Sequence, residues 1–220
     1  MTTVQQVYEE MQRIAPLELA ESWDNPGLLV DCGGTVQKVL VTLDITPEVV
    51  EEAARKHCEV IVAHHPVIFS PLKKIGPQEV PCQLVRAGIS AICMHTNLDA
   101  AEGGVNEVLA GIFGMKNLET FADGCGRVGE IELNSVKGLA YQVQKELASR
   151  CNLPENGPAV QIKLVDNGRM VKRLGLSLIA AGHYATEFPV TAAVAEKLRA
   201  ALPELEVLVS EANKDPYTYL

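Results

Sequence analysis

Apolar residues recur at helical spacing at the start of the chain, at Val4, Val7, Tyr8, Met11 and Ile14, and predict an amphipathic helix over residues 3–15 that stops before Pro16. The pattern then changes. Beyond a turn-rich stretch, SWDNPGLLVDCGG, three runs are apolar at almost every position: KVLVTLD (38–44), CEVIVAHHP (58–66) and GISAICMH (88–95). Runs that offer no polar face predict strands of a parallel sheet covered on both sides. Between them lie TPEVVEEAARKH (46–57), a helix with Thr46 as N-cap and Pro47 in its first position, and a second helix over about 78–87. Strands alternating with helices define an α/β architecture. In such sheets ligands gather beyond the carboxyl ends of the strands. His64, His65 and the HTNLD of residues 95–99 fall at such ends.

The second half is less regular. AEGGVNEVLAGIFGM reads as a helix with a glycine-rich start, GRVGEIE (126–132) as a short strand and SVKGLAYQVQKELA (135–148) as a helix. AVQIKLVD and VKRLGL read as strands of a hairpin around the NG turn at 167–168. SLIAAGHY is another strand, followed by a helix over about 186–201 and a final strand, LEVLVSE. Nothing separates VKRLGL from SLIAAGHY. The junction is too short for a parallel crossover, and one merged strand would be unusually long. Either Gly175 bends a single long strand or a connecting segment near 174–177 has been skipped by the numbering. The second is favoured, because excising buried strands leaves unpaired sheet edges and exposed core.

Composition narrows the class. With 220 residues, 47% of them hydrophobic, the chain can bury the core of one large α/β domain or of two small lobes. A net charge of −9 and a pI near 5.1 argue against a protein whose main work is to neutralise phosphates on nucleic acid or anionic lipid. The N-terminal stretch does not read as a secretory signal, and no window has the apolar length of a membrane span. Six cysteines are scattered without a CxxC pair, so they read as reduced, packed thiols of a cytoplasmic protein and give a zinc ribbon no support.

The candidate chemistry starts at His64 and His65. Side chains alternate along a strand, and Pro66 keeps His65 extended, so the two rings are expected to diverge towards separate partners, one per metal ion. Alone, such a pair is more often capped by backbone carbonyls. Three further donors change that balance: Asp99 past the third strand, and His183 and Glu187 of GHYATE past another. Pro189 is expected to start the following helix near Thr186, leaving His183 at the strand end and Glu187 in the first turn. Imidazoles with carboxylates suit zinc, iron, manganese, cobalt or nickel. Five side chains do not saturate two ions, so open positions are left for water or substrate, the arrangement of a catalytic site. A carboxylate bridge from Asp99 or Glu187 would hold the ions about 3.5–4 Å apart. His95 reads as an orienting residue, as the proton donor to a leaving group, or equally well as a structural histidine. His57, at a helix C-terminus, reads as a surface residue. Trp23 and Asp24, in a loop whose backbone needs Gly27, read as packing and turn chemistry in preference to substrate contact.

Taken in order and spacing, WDNPGLLV, VTLDIT, AHHPVIF, HTNLDAAEGGVN, GCGRVGEI and GHYATE resemble the Nif-three-like family, whose bacterial members are commonly named GTP cyclohydrolase 1 type 2 homologs. The match runs from about residue 20 onward. The resemblance implies a two-lobed α/β fold of mostly parallel sheets covered by helices, with a dinuclear metal site between the lobes and six subunits in a ring. The lobes are placed at residues 1–105, completed by about 177–220, and at 106–176. The family's ligand pattern falls on His64, His65, Asp99, His183 and Glu187, the five donors already singled out. Family members carry a further strand and helix at the junction near 174–177. The implied reaction is hydrolytic opening of the guanine imidazole ring of GTP with loss of formate, using two divalent metal ions, with His95 shuttling protons. Two alternatives stand beside it: a non-catalytic metal-binding or regulatory interaction protein, and a phosphoesterase or amidohydrolase with another substrate. No phosphate-cradling loop is evident in the sequence.

Overall fold

The computed structural model describes residues 1–122, 124–132, 135–151, 163–165 and 177–215. Its centre is a five-stranded sheet of β1 (Gly27–Val30), β2 (Lys38–Thr42), β3 (Val60–Ala63), β4 (Ser90–Cys93) and β5 (Glu206–Val209). The spatial order is β5-β2-β3-β4-β1. β5, β2, β3 and β4 run parallel, and β1 closes one edge antiparallel to β4.

Alternation along the strands sorts their side chains onto two buried faces. Val39, Val41, Val60, Val62 and Ile92 meet Val4, Val7 and Met11 of α1 (Val4–Ile14), with Val194 and Leu198 of α8 (Val190–Ala201). Leu40, Ile61, Ala63, Ala91 and Cys93 meet Val49 and Ala53 of α2 (Pro47–Lys56) and Leu84 of α3 (Val80–Ala87). Both faces are therefore apolar, as the uninterrupted runs predicted. Thr46 caps α2 by accepting a hydrogen bond from the Val49 amide, with Pro47 in the first turn.

One local expectation is corrected and two details are added. HTNLD lies just past β4, as expected, and forms one helical turn, α4 (Thr96–Ala100), leading through Gly103 and Gly104 into α5 (Val105–Ile112). GHYATE is itself a short helix, α7 (His183–Glu187), rather than a strand end running into a helix at Thr186. Pro189 marks a break between α7 and α8, because it removes only its own donor and crowds one preceding carbonyl, leaving the turn before it intact. Lys116–Phe121 forms an antiparallel hairpin with Gly126–Glu130. The first of these strands carried no alternating pattern because all six of its residues are exposed.

The helix α6 (Val136–Arg150) packs Val143 and Leu147 against Tyr184, Ala185 and Phe188. Lys163–Val165 pairs antiparallel with Leu178–Ala180. The NG turn at 167–168 and most of the junction near 174–177 lie outside the described residues. Among the described residues, no helix is long and apolar enough to cross a membrane.

Candidate metal centre

β3 ends at Ala63, and the next two residues are the paired histidines. His64 continues the alternation onto the face beneath α1 and α8 and is 2% exposed. Its Nδ1 lies 3.0 Å from the carbonyl of Met94, which can only accept, so Nδ1 carries the proton and Nε2 presents a lone pair. Burial holds this imidazole neutral, with its pKa down at about 4. The Nε2 is buried without a hydrogen-bond partner. What faces it are two acceptors, Asp99 Oδ1 and Glu187 Oε2, each 3.8 Å away. A buried lone pair opposed by two carboxylate oxygens is unfavourable unless a cation sits among them. The donor set therefore fits a divalent metal.

His65 donates from Nδ1 to Asp44 Oδ1 at 2.7 Å, and its Nε2 lies 3.1 Å from Glu187 Oε2. Burial alone would lower its pKa, but the hydrogen bonds to Asp44 and Glu187 outweigh it and raise it to about 9. A proton and a metal cation meet the same need here, for positive charge between His65 and Glu187. The two rings do not diverge as alternation predicted. Their centroids are 4.9 Å apart and both rings turn to Glu187, since the strand has already ended before them.

His183 and Glu187 stand one turn apart on α7, with His183 Nε2 2.8 Å from Glu187 Oε1. Burial would raise the Glu187 carboxyl, yet the hydrogen bond from His65 and the neighbouring histidines hold it below its ordinary value. Asp99 behaves oppositely: burial, followed by the charge of Glu187, pushes it up to about 6. Two groups of donor atoms, those of His64, His65 and His95 and those of His65, His183 and Glu187, each lie within 4.8 Å of one another and could hold a metal ion. All five expected donors thus converge, and Glu187 touches three of the histidines.

Two residues that the motif reading passed over complete the cluster. Asp44 orients His65, and Asp24 accepts from His95 Nδ1 at 2.8 Å. The Asp24 side chain is buried and accepts further hydrogen bonds from the Thr96 amide and hydroxyl and from the Asn25 amide. Burial would raise its pKa, but the hydrogen bonds from Thr96 and His95 prevail and lower it. Asp44 follows the end of β2, so the strand-end rule could have found it; Asp24 lies in a loop with no local signal. The turn-and-packing reading of this loop is corrected: Asp24 is an anchor for His95, and Trp23 is 59% exposed rather than packed.

The end of α4, which carries Asp99, is fixed by α5 and by the hairpin. Asn106 donates to the carbonyls of Asp99, at 3.0 Å, and Cys125, at 2.6 Å. The buried Arg127 reaches Glu107 Oε1 at 2.9 Å and the carbonyls of Gly124 and Ala100 at 2.6 and 2.8 Å. A Cβ on Gly104 would stand 1.9 Å from the Leu98 carbonyl, so only glycine lets α5 start this close to α4. Beside the histidines opens a pocket of about 340 Å³, lined in part by Asp44, His65, Phe69, His95, His183 and Tyr184. The buried thiols are inert by comparison: burial pushes Cys58 up to about 11 and Cys93 up to about 12.

The chain resembles several known proteins in sequence and in fold. The chain is 28% identical to a Clostridium acetobutylicum protein named GTP cyclohydrolase 1 type 2 homolog, over 95% of this chain and 96% of that one. It is 29% identical to a Clostridium perfringens protein of the same name, over 96% and 97%. The first alignment runs to 256 positions against 220 residues here, so that relative carries residues with no counterpart in this chain. A solved Bacillus cereus protein described as related to NIF3 superposes with a TM-score of 0.78 over 99% of each chain at 18% identity, a likeness of fold. The family model described as Duf34/NIF3 (NGG1p interacting factor 3) matches residues 2–163 and 166–216, and to that family the chain belongs.

Proposed function

We propose that this chain is a metal-dependent hydrolase that holds two divalent ions between its lobes and acts on a nucleotide or a related heterocycle. One observation carries the metal part: the buried Nε2 lone pair of His64 faces two carboxylates and has no donor to meet it. His64, Asp99 and Glu187 would hold one ion and His65, His183 and Glu187 the other, a division supported by the short distances among these side chains. Zinc, iron, manganese, cobalt and nickel all accept such a set. When bound, the ions supply Lewis-acid polarisation and activation of water near neutral pH.

The chain's own groups do the rest. Asp44 and Asp24 fix the tautomers of His65 and His95 from behind. With Nδ1 committed, His95 has Nε2 left to take a proton from water or return it to a leaving nitrogen. Leu43, Pro66, Phe69 and Tyr184 give the pocket apolar walls that limit solvent around these groups. The names of the curated relatives suggest the reaction, hydrolytic opening of the imidazole ring of GTP with release of formate. Two lobes, at 1–105 completed by about 177–220 and at 106–176 with residues lost near 174–177, and a ring of six subunits belong to the same proposal. The addition of β5 to the first sheet and the alignment longer than the chain support the lobe division.

Elemental analysis of the purified protein, followed by incubation with a nucleotide panel, tests the reading. The expected result is two divalent ions per chain and formate release from GTP that stops on chelation. Full turnover after the metal is stripped would overturn it, as would a loaded protein that turns over nothing and readily hands its metal to an acceptor. Asp24→Asn is expected to lower turnover by about tenfold to a hundredfold at unchanged metal content, because His95 loses its fixed tautomer. Parental turnover in that variant removes His95 from the proton path.

A further inference from the structure

Trp23 and Phe69 are large aromatic residues left 59% and 51% exposed at the rim of the metal pocket. Exposed aromatic surface beside a cluster of polar groups is the usual composition of a ligand site, an apolar wall with a few converging polar atoms. Their placement is built. The ring centroids lie 6.2 Å apart, and each ring sets an edge contact to His95, at 6.3 Å for Trp23 and 6.4 Å for Phe69. Phe69 lines the pocket together with His65 and His183. Asn25 Nδ2 donates to the Ile68 carbonyl at 2.6 Å, so the residues next to the two rings are tied across two loops. Between Trp23 and Asn25, Asp24 is bound to His95 and Thr96. The two rings are thereby held in register with the imidazole that faces the reacting centre.

We propose that Trp23 and Phe69 form an aromatic shelf that receives the planar ring of the substrate and presents it to His95 and the metal ligands. The inference rests on the reading of the pocket as a substrate site and adds to it the recognition of a π-face. Stacking on an aromatic side chain strengthens binding of a base by about tenfold to a hundredfold and is indifferent to which base is offered. A sugar phosphate or a polyphosphate gains nothing from such a shelf. The substrate class is therefore one with a flat heteroaromatic ring, whatever its phosphorylation.

Trp23 is the single tryptophan of the chain, so its fluorescence reports on the shelf directly. The protein is titrated with GTP and, separately, with ribose 5-phosphate and inorganic triphosphate, excited where the base does not absorb. Saturable quenching by GTP alone is expected. Phe69→Ala should weaken GTP binding about tenfold or more, Phe69→Tyr should restore it, and Trp23→Leu, followed by equilibrium dialysis, should match Phe69→Ala. Metal content should stay parental in all three variants. Equal quenching by the ring-free probes overturns the shelf. So do variants that bind GTP like the parent, including a Trp23→Leu protein that changes only its sedimentation, which would assign these rings to contact between copies. The two readings fail separately: two bound ions and formate release with GTP affinity untouched by the variants sink only the shelf. A protein that shows the expected quenching pattern but takes up no metal sinks only the hydrolase.

Discussion

Glu187→Ala is expected to lower metal affinity by more than about a hundredfold and to abolish turnover with it. Changing a group that merely orients a metal ligand costs about 10–100-fold, and Glu187 is proposed as a ligand itself. Its Oε1 is 2.8 Å from His183 Nε2, and its Oε2 is 3.1 Å from His65 and 3.8 Å from His64. Glu187 lies against the donor nitrogens of three histidines, so its loss is expected to weaken both proposed ligand sets at once. A second effect accompanies the first. The His65 pKa of about 9 is held up against burial by Asp44 and Glu187, so it should fall in the variant, as proton NMR of the imidazole can follow. Dialysis against a chelator with elemental analysis of the retained ions measures the main effect. A variant that keeps both ions as the parent does removes the shared carboxylate from the scheme.

Acid is expected to weaken the fold between about pH 4.5 and pH 2 through Glu52, which is not one of the proposed metal ligands. This side chain is 1% exposed and sits on α2, where it accepts from Lys56 Nζ at 2.7 Å, from the Ser210 hydroxyl at 2.5 Å and from the amides of Glu211 and Ala212 at 3.0 Å each. Burial opposes its charge, but the hydrogen bonds from Lys56 and Ser210 and the two amides prevail and bring its pKa from 4.5 to about 2. A carboxyl depressed on folding stabilises the folded state fully above its unfolded pKa and loses that contribution as pH falls through the folded value. The difference corresponds to about 3 kcal/mol near neutrality. Glu52→Gln keeps the shape and cannot ionise. Urea midpoints measured across this range should therefore fall more steeply for the parent than for the variant, which should itself be less stable at pH 7. Parallel slopes would mean that other carboxylates carry the acid response.

Much of this was legible in the chain, for reasons that differ from residue to residue. The sheet could be read because β2, β3 and β4 are buried on both faces and so carry unbroken apolar runs. His64, His65, Asp99, His183 and Glu187 could be singled out because imidazoles and carboxylates recur where such runs end. Lys116–Phe121 could not, since a strand with every residue exposed has no apolar side to betray it. The start of α7 was misplaced because Pro189 looks alike whether it opens a helix or parts two of them. Asp24 was beyond reach for another reason. Its role depends on a contact with His95 that spans a large part of the sequence, and nothing in a tryptophan-aspartate-asparagine loop foretells what lies opposite.

The pairing of β5 with β2 bears on how the protein is made. β2 leaves the ribosome well before its partner Glu206–Val209. Throughout synthesis the outer rim of β2 carries bare amides and carbonyls, a template that a neighbouring nascent chain can add to. Closing so long a loop is slow, so the vulnerable interval outlasts translation. Until Glu206–Val209 docks, that rim is a place where nascent copies can associate.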